Sequence, residues 1–300
     1  MVSLVKIIKK YRRAYSNWFS VLYQLYRIRN KVLDETNEFI KVRLKDTDNI
    51  LNVPSSVVYF YAEVNSIPNP RIHNLSIDNN LLSFFYENYN VKFDLKNTGD
   101  LVETFFKDAY QFLKVEGKDV IDIGANIGDT AIYFAIKGAR KVISLEPYPY
   151  TFAQAIKNIS SSEFKDKIEI INAGYGKDKK IKIDISFIPD NGSDLREAEN
   201  GLDINLYSLK TLVNKYNIDS GILKMDCEGC EYNLLNEDDE IIKKFAMIQI
   251  EYHYGYEKLV DKLKDCGFNV KYTEPRESYN PSAGKTMMVG YIYAERQPVK

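Results

Sequence analysis

Val120-Ile121-Asp122-Ile123-Gly124-Ala125-Asn126-Ile127-Gly128-Asp129-Thr130, with Glu146 closing the next apolar run, decides the fold of this chain. Val120 to Ile123 is a short β-branched run suited to a strand buried on both faces. Gly124 and Gly128 permit close backbone approach, and Thr130 to Lys137 carries a helical pattern. Lys141 to Leu145 reads as a second strand that delivers Glu146 at its carboxyl end, where a carboxylate can accept hydrogen bonds from both hydroxyls of a ribose. Strand, glycine loop, helix, strand and acid together describe a nucleoside pocket on a parallel sheet.

The glycine spacing narrows the nucleoside. A dinucleotide fingerprint GxGxxG starting at Gly124 needs glycines where this chain has Asn126 and Asp129. Asn126 puts a side chain where backbone must approach a pyrophosphate, and Asp129 puts negative charge at the helix N-terminus. Both features disfavour NAD and suit S-adenosylmethionine, which carries a cationic sulfonium and no phosphate. A NAD-dependent enzyme remains as the lesser alternative.

With 300 residues and 45% hydrophobic content, the chain can hold a domain of about 180 to 200 residues plus an N-terminal region. A formal net charge of -1 supplies no overall positive field, so nucleic acid is not expected as a partner. No apolar run reaches the roughly 18 residues of a membrane span. The first residues lack the pattern of a secretory signal, and three cysteines cannot build a disulfide framework, which points to the cytoplasm. Asn74, Asn158 and Asn191 each open an N-x-S triplet, read as chance in an asparagine-rich chain.

Residues 1–35 form a basic amphipathic helical segment, with Lys6, Lys9, Lys10, Arg12, Arg13, Arg27 and Arg29 and no acid before Asp34. Leu4, Ile7, Ile8, Tyr11, Tyr15, Trp18, Phe19, Leu22, Leu25 and Tyr26 recur at helical spacing, with Ser16 and Asn17 as a break. This face packs on its own domain or on a sister subunit in a homo-oligomer. Alternatively it lies peripherally on the inner membrane surface with Trp18 and Phe19 dipping in. Residues 36–100 are a β-rich extension: Ile40, Val42 and Leu44, then Val57, Tyr59 and Tyr61, then Phe84, Tyr86, Tyr89 and Val91 alternate, with turns at Asp46 to Asn49 and Ile67 to Pro70. Residues 101–300 are the nucleoside-binding domain, opened by a helix from Leu101 to Leu113.

Beyond Glu146 the chain alternates helix and strand: helix Tyr150 to Ile159, strand Ile168 to Asn172, a hairpin-like stretch Ile181 to Ile188, helix Leu209 to Tyr216 and strand Ile222 to Asp226. A helix near Cys230, strand Phe245 to Glu251, helix Glu257 to Cys266, and strands Asn269 to Tyr272 and Met287 to Tyr293 complete it. The expected class is α/β, a doubly wound seven-stranded Rossmann-like sheet. On it, Asn172 and Ala173 fall where an adenine would lie. Pro189 to Asp203 is a polar loop, either a lid or a solvated excursion.

The second informative segment is Ile222-Leu223-Lys224-Met225-Asp226-Cys227-Glu228-Gly229-Cys230-Glu231-Tyr232. Lys224 and Asp226 share one face of their strand, as do Gln249, Glu251 and His253 on the next, so neighbouring strands would converge these groups beside the cofactor crevice. Burying Asp226, Glu228 and Glu251 together is costly unless Lys224, a proton, a metal ion or a substrate hydroxyl offsets the charge. Glu228 and Glu231 also suit the start of a helix.

The motifs VIDIGANIGDT, SLEP from Ser144, LKMDCEGCEY and IEYH from Ile250 together resemble the FkbM-type methyltransferases, a class I Rossmann-like group similar to O-methyltransferases acting on sugars and polyketides. The resemblance spans roughly Leu101 to Tyr272. It implies that Asp122, Gly124, Asn126, Gly128 and Glu146 contact S-adenosylmethionine and that Asp226, Glu228, Glu231 and His253 line the reaction centre. The expected reaction moves a methyl group to a hydroxyl of a sugar, glycolipid or similar small acceptor. A non-catalytic membrane-associated binding protein on the same fold is the alternative from another class.

Cys227 and Cys230 form a CxxC, but with Cys266 the one other thiol a four-cysteine zinc site is impossible, and the pair is read as small apolar residues. His73 is read as a surface or satisfied histidine. In-line displacement at the sulfonium leaves the protein to orient the acceptor and remove a proton. His253 is the expected base, with Asp226 orienting the hydroxyl and Lys224, Glu228 and Glu251 around them. The rival arrangement has Asp226, Glu228 and Glu251 holding a divalent metal.

Overall fold

In the computed structural model, which describes residues 4–29, 39–45, 47, 49–78, 80–95, 100–185, 195–280 and 285–296, the chain divides into two units, Met1–Ala109 and Tyr110–Lys300.

The first unit opens with helices α1 (Leu4–Ala14) and α2 (Trp18–Arg29). Asn17, at the expected break, donates to Lys41 O and accepts from Arg43 N, which ties the helix junction to the first strand. Strands β1 (Phe39–Arg43) and β2 (Ile50–Pro54) pair antiparallel. Helix α3 (Ser55–Ser66) follows, then an antiparallel meander of β3 (Ile72–Asp78), β4 (Leu81–Tyr86) and β5 (Tyr89–Asp94). Its centre is aromatic: Phe84 packs against Phe60, Phe105 and Phe93 at ring separations of 5.0, 5.3 and 6.4 Å.

Two expectations are corrected in this unit. Val57, Tyr59 and Tyr61 lie in α3, not in a strand; the buried set Val57, Val58, Phe60, Tyr61 and Ala62 is one helical stripe that alternation imitates over five residues. The helix expected from Leu101 to Leu113 is only a π-helical turn, Val102–Phe106. Asp108 ends it in a left-handed conformation (φ 56), its carboxylate held by Tyr86 Oη and Arg71. The turn residues Asp46 and Asp48 lie outside the described residues. His73 is exposed on β3 and stacks on Phe85.

The second unit is built on β6 (Asp119–Ile123), α4 (Asp129–Ile136), β7 (Lys141–Leu145), α5 (Pro149–Ser160) and β8 (Ile168–Ile171). It continues through β9 (Ala173–Tyr175), β10 (Lys179–Ile183), β11 (Leu202–Tyr207), α6 (Leu209–Tyr216), β12 (Gly221–Met225), α7 (Asp239–Ile242) and β13 (Phe245–Tyr252). Helix α8 (Glu257–Asp265) and strands β14 (Phe268–Tyr272), β15 (Arg276–Asn280) and β16 (Lys285–Arg296) complete it. The main sheet runs β14-β16-β13-β12-β6-β7-β8, with β15 paired to β16. Strands β8, β7, β6, β12 and β13 are parallel, and β16 is antiparallel to both its neighbours.

Ile121 and Ile123 face α6 and α8 in one apolar core. Asp122, on the opposite face by alternation, accepts a hydrogen bond from Thr130 of α4, so helices cover both faces. The strand order reverses between β6 and β12, and ligand crevices of such sheets open at that point, beyond the strand carboxyl ends. A small sheet, β10-β11-β9, lies apart from the main one. Residues 186–194, which include parts of the expected hairpin and polar loop, lie outside the described residues. Among the described residues no helix is long and apolar enough to cross a membrane.

Candidate active site

The loop after β6 is tied to its neighbours by backbone hydrogen bonds. Gly124 N and Ala125 N both donate to Leu145 O, at 3.1 and 3.0 Å, joining the loop to the end of β7. Gly124 has φ +80, and a Cβ there would lie 1.7 Å from Asp226 O. The close approach that this glycine permits is therefore to the backbone of the β12 end, which brings the two motifs together. At Gly128, with φ +83, a Cβ would lie 3.1 Å from Ile159 of α5, so the glycine lets the two segments pack closely.

Glu146 is buried at the mouth of this loop. Its carboxylate accepts from Asn126 N at 3.0 Å and Tyr148 N at 2.9 Å. Burial pushes its pKa up to about 8 against those two bonds and the more distant Lys224. Burial leaves the ionised form short of donors, and a partner offering hydroxyls, as the vicinal diol of a ribose does, would stabilise it. Asn172 donates to Glu146 O and Pro147 O at 2.9 and 2.8 Å, fixing the backbone that carries the acid. Ala173 is fully buried at the start of β9.

Two expected site residues, Asp122 and Lys224, are buried against each other beneath this loop. Asp122 is fully buried; its Oδ2 accepts from Thr130 Oγ1 and Ser144 Oγ at 2.8 and 3.0 Å, and its Oδ1 lies 3.1 Å from Lys224 Nζ. Lys224 is equally buried and donates to Gly124 O at 2.7 Å and Ile123 O at 3.3 Å. Burial works against its charge, but Asp122 and Asp226 outweigh that and hold its pKa above the ordinary lysine value. The register explains this: Lys224 pairs with Asp122 on one side and with Gln249 on the other, in the middle of the sheet. The pair ties the end of β6 and its glycine loop to β12.

At the ends of β12 and β13 gather Asp226, Glu228, Glu231, Glu251 and His253. Glu231, fully buried, accepts from His253 N and faces His253 Nδ1 at 3.0 and 2.9 Å, and its other oxygen accepts from Gly229 N at 2.8 Å. His253 Nε2 lies 3.3 Å from Glu228 and 4.0 Å from Asp226. Burial opposes a charged ring, yet Glu228 and Glu231 outweigh it and push the His253 pKa up to about 12. Glu228 itself is raised, by burial first and Asp226 next, with His253 pulling the other way. Glu251 reaches about 8 through burial and the nearby Asp226 charge, and its carboxylate also lies 3.9 Å from Arg276. Asp226 is the most open of these acids, with 28% of its side chain exposed.

Among the described residues, ligand atoms of Asp226, Glu228 and His253 come within 4.8 Å of one another and could hold a metal ion. Glu251 is not in that group, so the expected metal triad is corrected: His253 takes its place because β13 carries residue 253 past the strand end, toward the loop of Glu228. Cys227 and Cys230, expected as small apolar fillers, are joined in a disulfide. The left-handed Glu228 (φ 55) and Gly229 (φ 113) between them fold the chain back until the two Cα atoms are 5.4 Å apart, within bridging range. Sequence reasoning gave no site role to Tyr110, which is buried with its hydroxyl 3.4 Å from Asp226 Oδ2. It stands outside every motif, and no periodic signal marks it.

Residues 122–270 match the model of the Methyltransferase FkbM domain. Uncharacterized protein 158B of Sulfolobus islandicus rod-shaped virus 1 is 30% identical over 161 residues, 53% of this chain and 75% of that protein. Among solved structures, M. jannaschii TYW2 in complex with AdoMet is 14% identical with a TM-score of 0.41, over 75% of this chain and 93% of the other. Precorrin-6y C5,15-methyltransferase from Geobacter metallireducens GS-15 is 13% identical with a TM-score of 0.39, over 67% and 93%. The matched segment contains Gly124, Glu146, Asp226 and His253. The chain belongs to the FkbM family of S-adenosylmethionine-dependent methyltransferases.

Proposed function

We propose that this methyltransferase moves the methyl group to a hydroxyl oxygen of a sugar, glycolipid or similar small acceptor. The observation that carries this reading is the packing of Gly124 against Asp226 O, which sets the donor loop beside a cluster able to take a proton. Glu146 would hold the ribose hydroxyls, with Gly124, Asn126 and Gly128 shaping the loop around the nucleoside and Asn172 and Ala173 beside the adenine. The donor is already activated, so the chain's part is to align the acceptor hydroxyl and accept its proton.

The base in this reading is Asp226 rather than His253. With carboxylates on both ring nitrogens, His253 is an imidazolium at neutral pH and has no lone pair for a proton. Asp226 faces that ring at 4.0 Å and is the most exposed acid of the cluster, where an acceptor hydroxyl can reach it. Glu251 and Tyr110 border the same carboxylate.

A second reading has a divalent cation held by Asp226, Glu228 and His253. The donor set would fit with the proton of His253 Nε2 displaced by the cation: two carboxylates and one imidazole whose far nitrogen is already held by Glu231, as metal-bound histidines commonly are. A cation there would lower the pKa of the acceptor hydroxyl.

The test is transfer of labelled methyl from S-adenosylmethionine to a panel of hydroxylated sugars and glycolipids, followed by alkali treatment of the product. An alkali-stable ether on the acceptor is expected. Label on an amine or a nucleic-acid base, or label released by alkali as from an ester, would sink the reading.

A further inference from the structure

The solvent side of α1 and α2 carries cations and apolar side chains. On α1, Lys6, Lys9, Arg12 and Arg13 are exposed on one arc, opposite the buried Tyr11 and Ala14. On α2, Phe19, Tyr23 and Tyr26 recur at i, i+4 and i+7 and are 72%, 56% and 64% exposed, while Val21 and Leu25 on the other side are buried. Leu4 and Val5 add 70% and 59% exposed aliphatic side chains at the start of α1. Cations lie against the rings: the Arg12 guanidinium is 5.8 Å from the Trp18 ring and that of Arg27 is 5.9 Å from Tyr23. The sequence has no Asp or Glu before Asp34, so neither helix contributes a negative charge. Lys10 turns inward to Glu63.

We propose that this face docks on an anionic phospholipid surface, with Phe19, Tyr23 and Tyr26 entering the headgroup boundary and Lys6, Lys9 and Arg12 meeting lipid phosphates. One side of the helices packs within its own unit and the other is left apolar and basic, so internal packing and lipid contact occupy different arcs. Trp18 is half-buried beneath Arg12 and is not the inserted residue. A nucleic acid also attracts lysines and stacks aromatic rings, but it offers no apolar interior for Leu4, Val5 and Phe19. The bilayer satisfies both halves of the surface, and the proposal stands on the first unit alone.

The experiment is cosedimentation of the full chain with vesicles of phosphatidylcholine alone and with added phosphatidylglycerol, at low and raised salt. Binding only to the anionic vesicles, weakened by salt, is expected. Lys6→Gln with Lys9→Gln should weaken it more than about tenfold, since each surface charge contributes about fivefold. Phe19→Ser with Tyr23→Ser should weaken it at least as much, with unchanged circular dichroism showing that the helices persist. If the aromatic variant loses its helices, the lysine variant decides. Equal binding to neutral vesicles, no binding, tighter binding to an oligonucleotide, or a dimer of the free protein that Phe19→Ser dissociates would each overturn the proposal.

Discussion

Glu231 Oε1 accepts from the backbone N–H of His253 and lies 2.9 Å from its ring Nδ1, so a single fully buried carboxylate fixes both the position and the charge of that histidine. Replacing Glu231 by Gln leaves a buried imidazolium short of its partner, a change that costs about 3 kcal/mol or more. The urea midpoint should fall accordingly, and the His253 ring should titrate lower by NMR. The folded value of about 12 lies above the usual value of 6.5, so the ion pairs contribute fully below about pH 6.5. That contribution is lost as pH rises toward 12, and the gap between wild type and variant should narrow in alkali. An unchanged ring titration would show that Glu231 does not set the charge of His253.

Glu146 gives S-adenosylmethionine binding a pH dependence of definite sign. With the free-protein pKa at about 8, a ribose that donates to the carboxylate must bind the ionised form. Affinity should rise about tenfold per pH unit below 8 and level off above it. Glu146→Gln should bind more weakly at pH 8 and show no such slope. Calorimetric titration across that range reads both, and a flat wild-type profile would contradict a ribose bond to the carboxylate.

Gly124→Ala and Gly117→Ala separate close approach from backbone conformation. Both glycines have positive φ, but a Cβ at Gly117 meets nothing within 4 Å, whereas at Gly124 it collides with Asp226 O. Gly117→Ala should cost about 1 kcal/mol. Gly124→Ala should cost more and abolish donor binding, because either the loop or the end of β12 must move. Equal losses in thermal unfolding would argue that the collision is relieved cheaply.

Asp226→Asn should lower kcat by at least about a hundredfold while leaving donor affinity unchanged. Activity should survive EDTA. Loss of activity on chelation, restored by a divalent ion in wild type but not in Glu228→Gln, would move the chemistry to the cation held by Asp226, Glu228 and His253.

Much of the second unit was legible because its signals are local. Short β-branched runs gave β6, β7, β12 and β13 within a residue or two, and the helix read from Leu209 to Tyr216 is α6. The first unit misled where one pattern fits two periods. Val57, Tyr59 and Tyr61 alternate, but Tyr59 is exposed while Val57, Val58, Phe60, Tyr61 and Ala62 are buried, which is the stripe of a helix and not one face of a strand. The helix begun at Val102 stopped because Asp108 is held by Arg71 and Tyr86, residues far back in the chain.

The sequence by itself determined the glycine loop, the acid at the end of the next strand and the family they belong to, because these depend on residue type at fixed short spacing. Tertiary structure alone decided which charged groups meet. Asp122 and Lys224, site residues by motif, are buried against each other because the register pairs their strands. His253 looks like a base by its ordinary pKa, and that pKa is pushed up because Glu228 and Glu231, more than twenty residues away in the chain, close on both of its nitrogens. Charge state is set by burial and by neighbours across strands, and neither is written in local spacing.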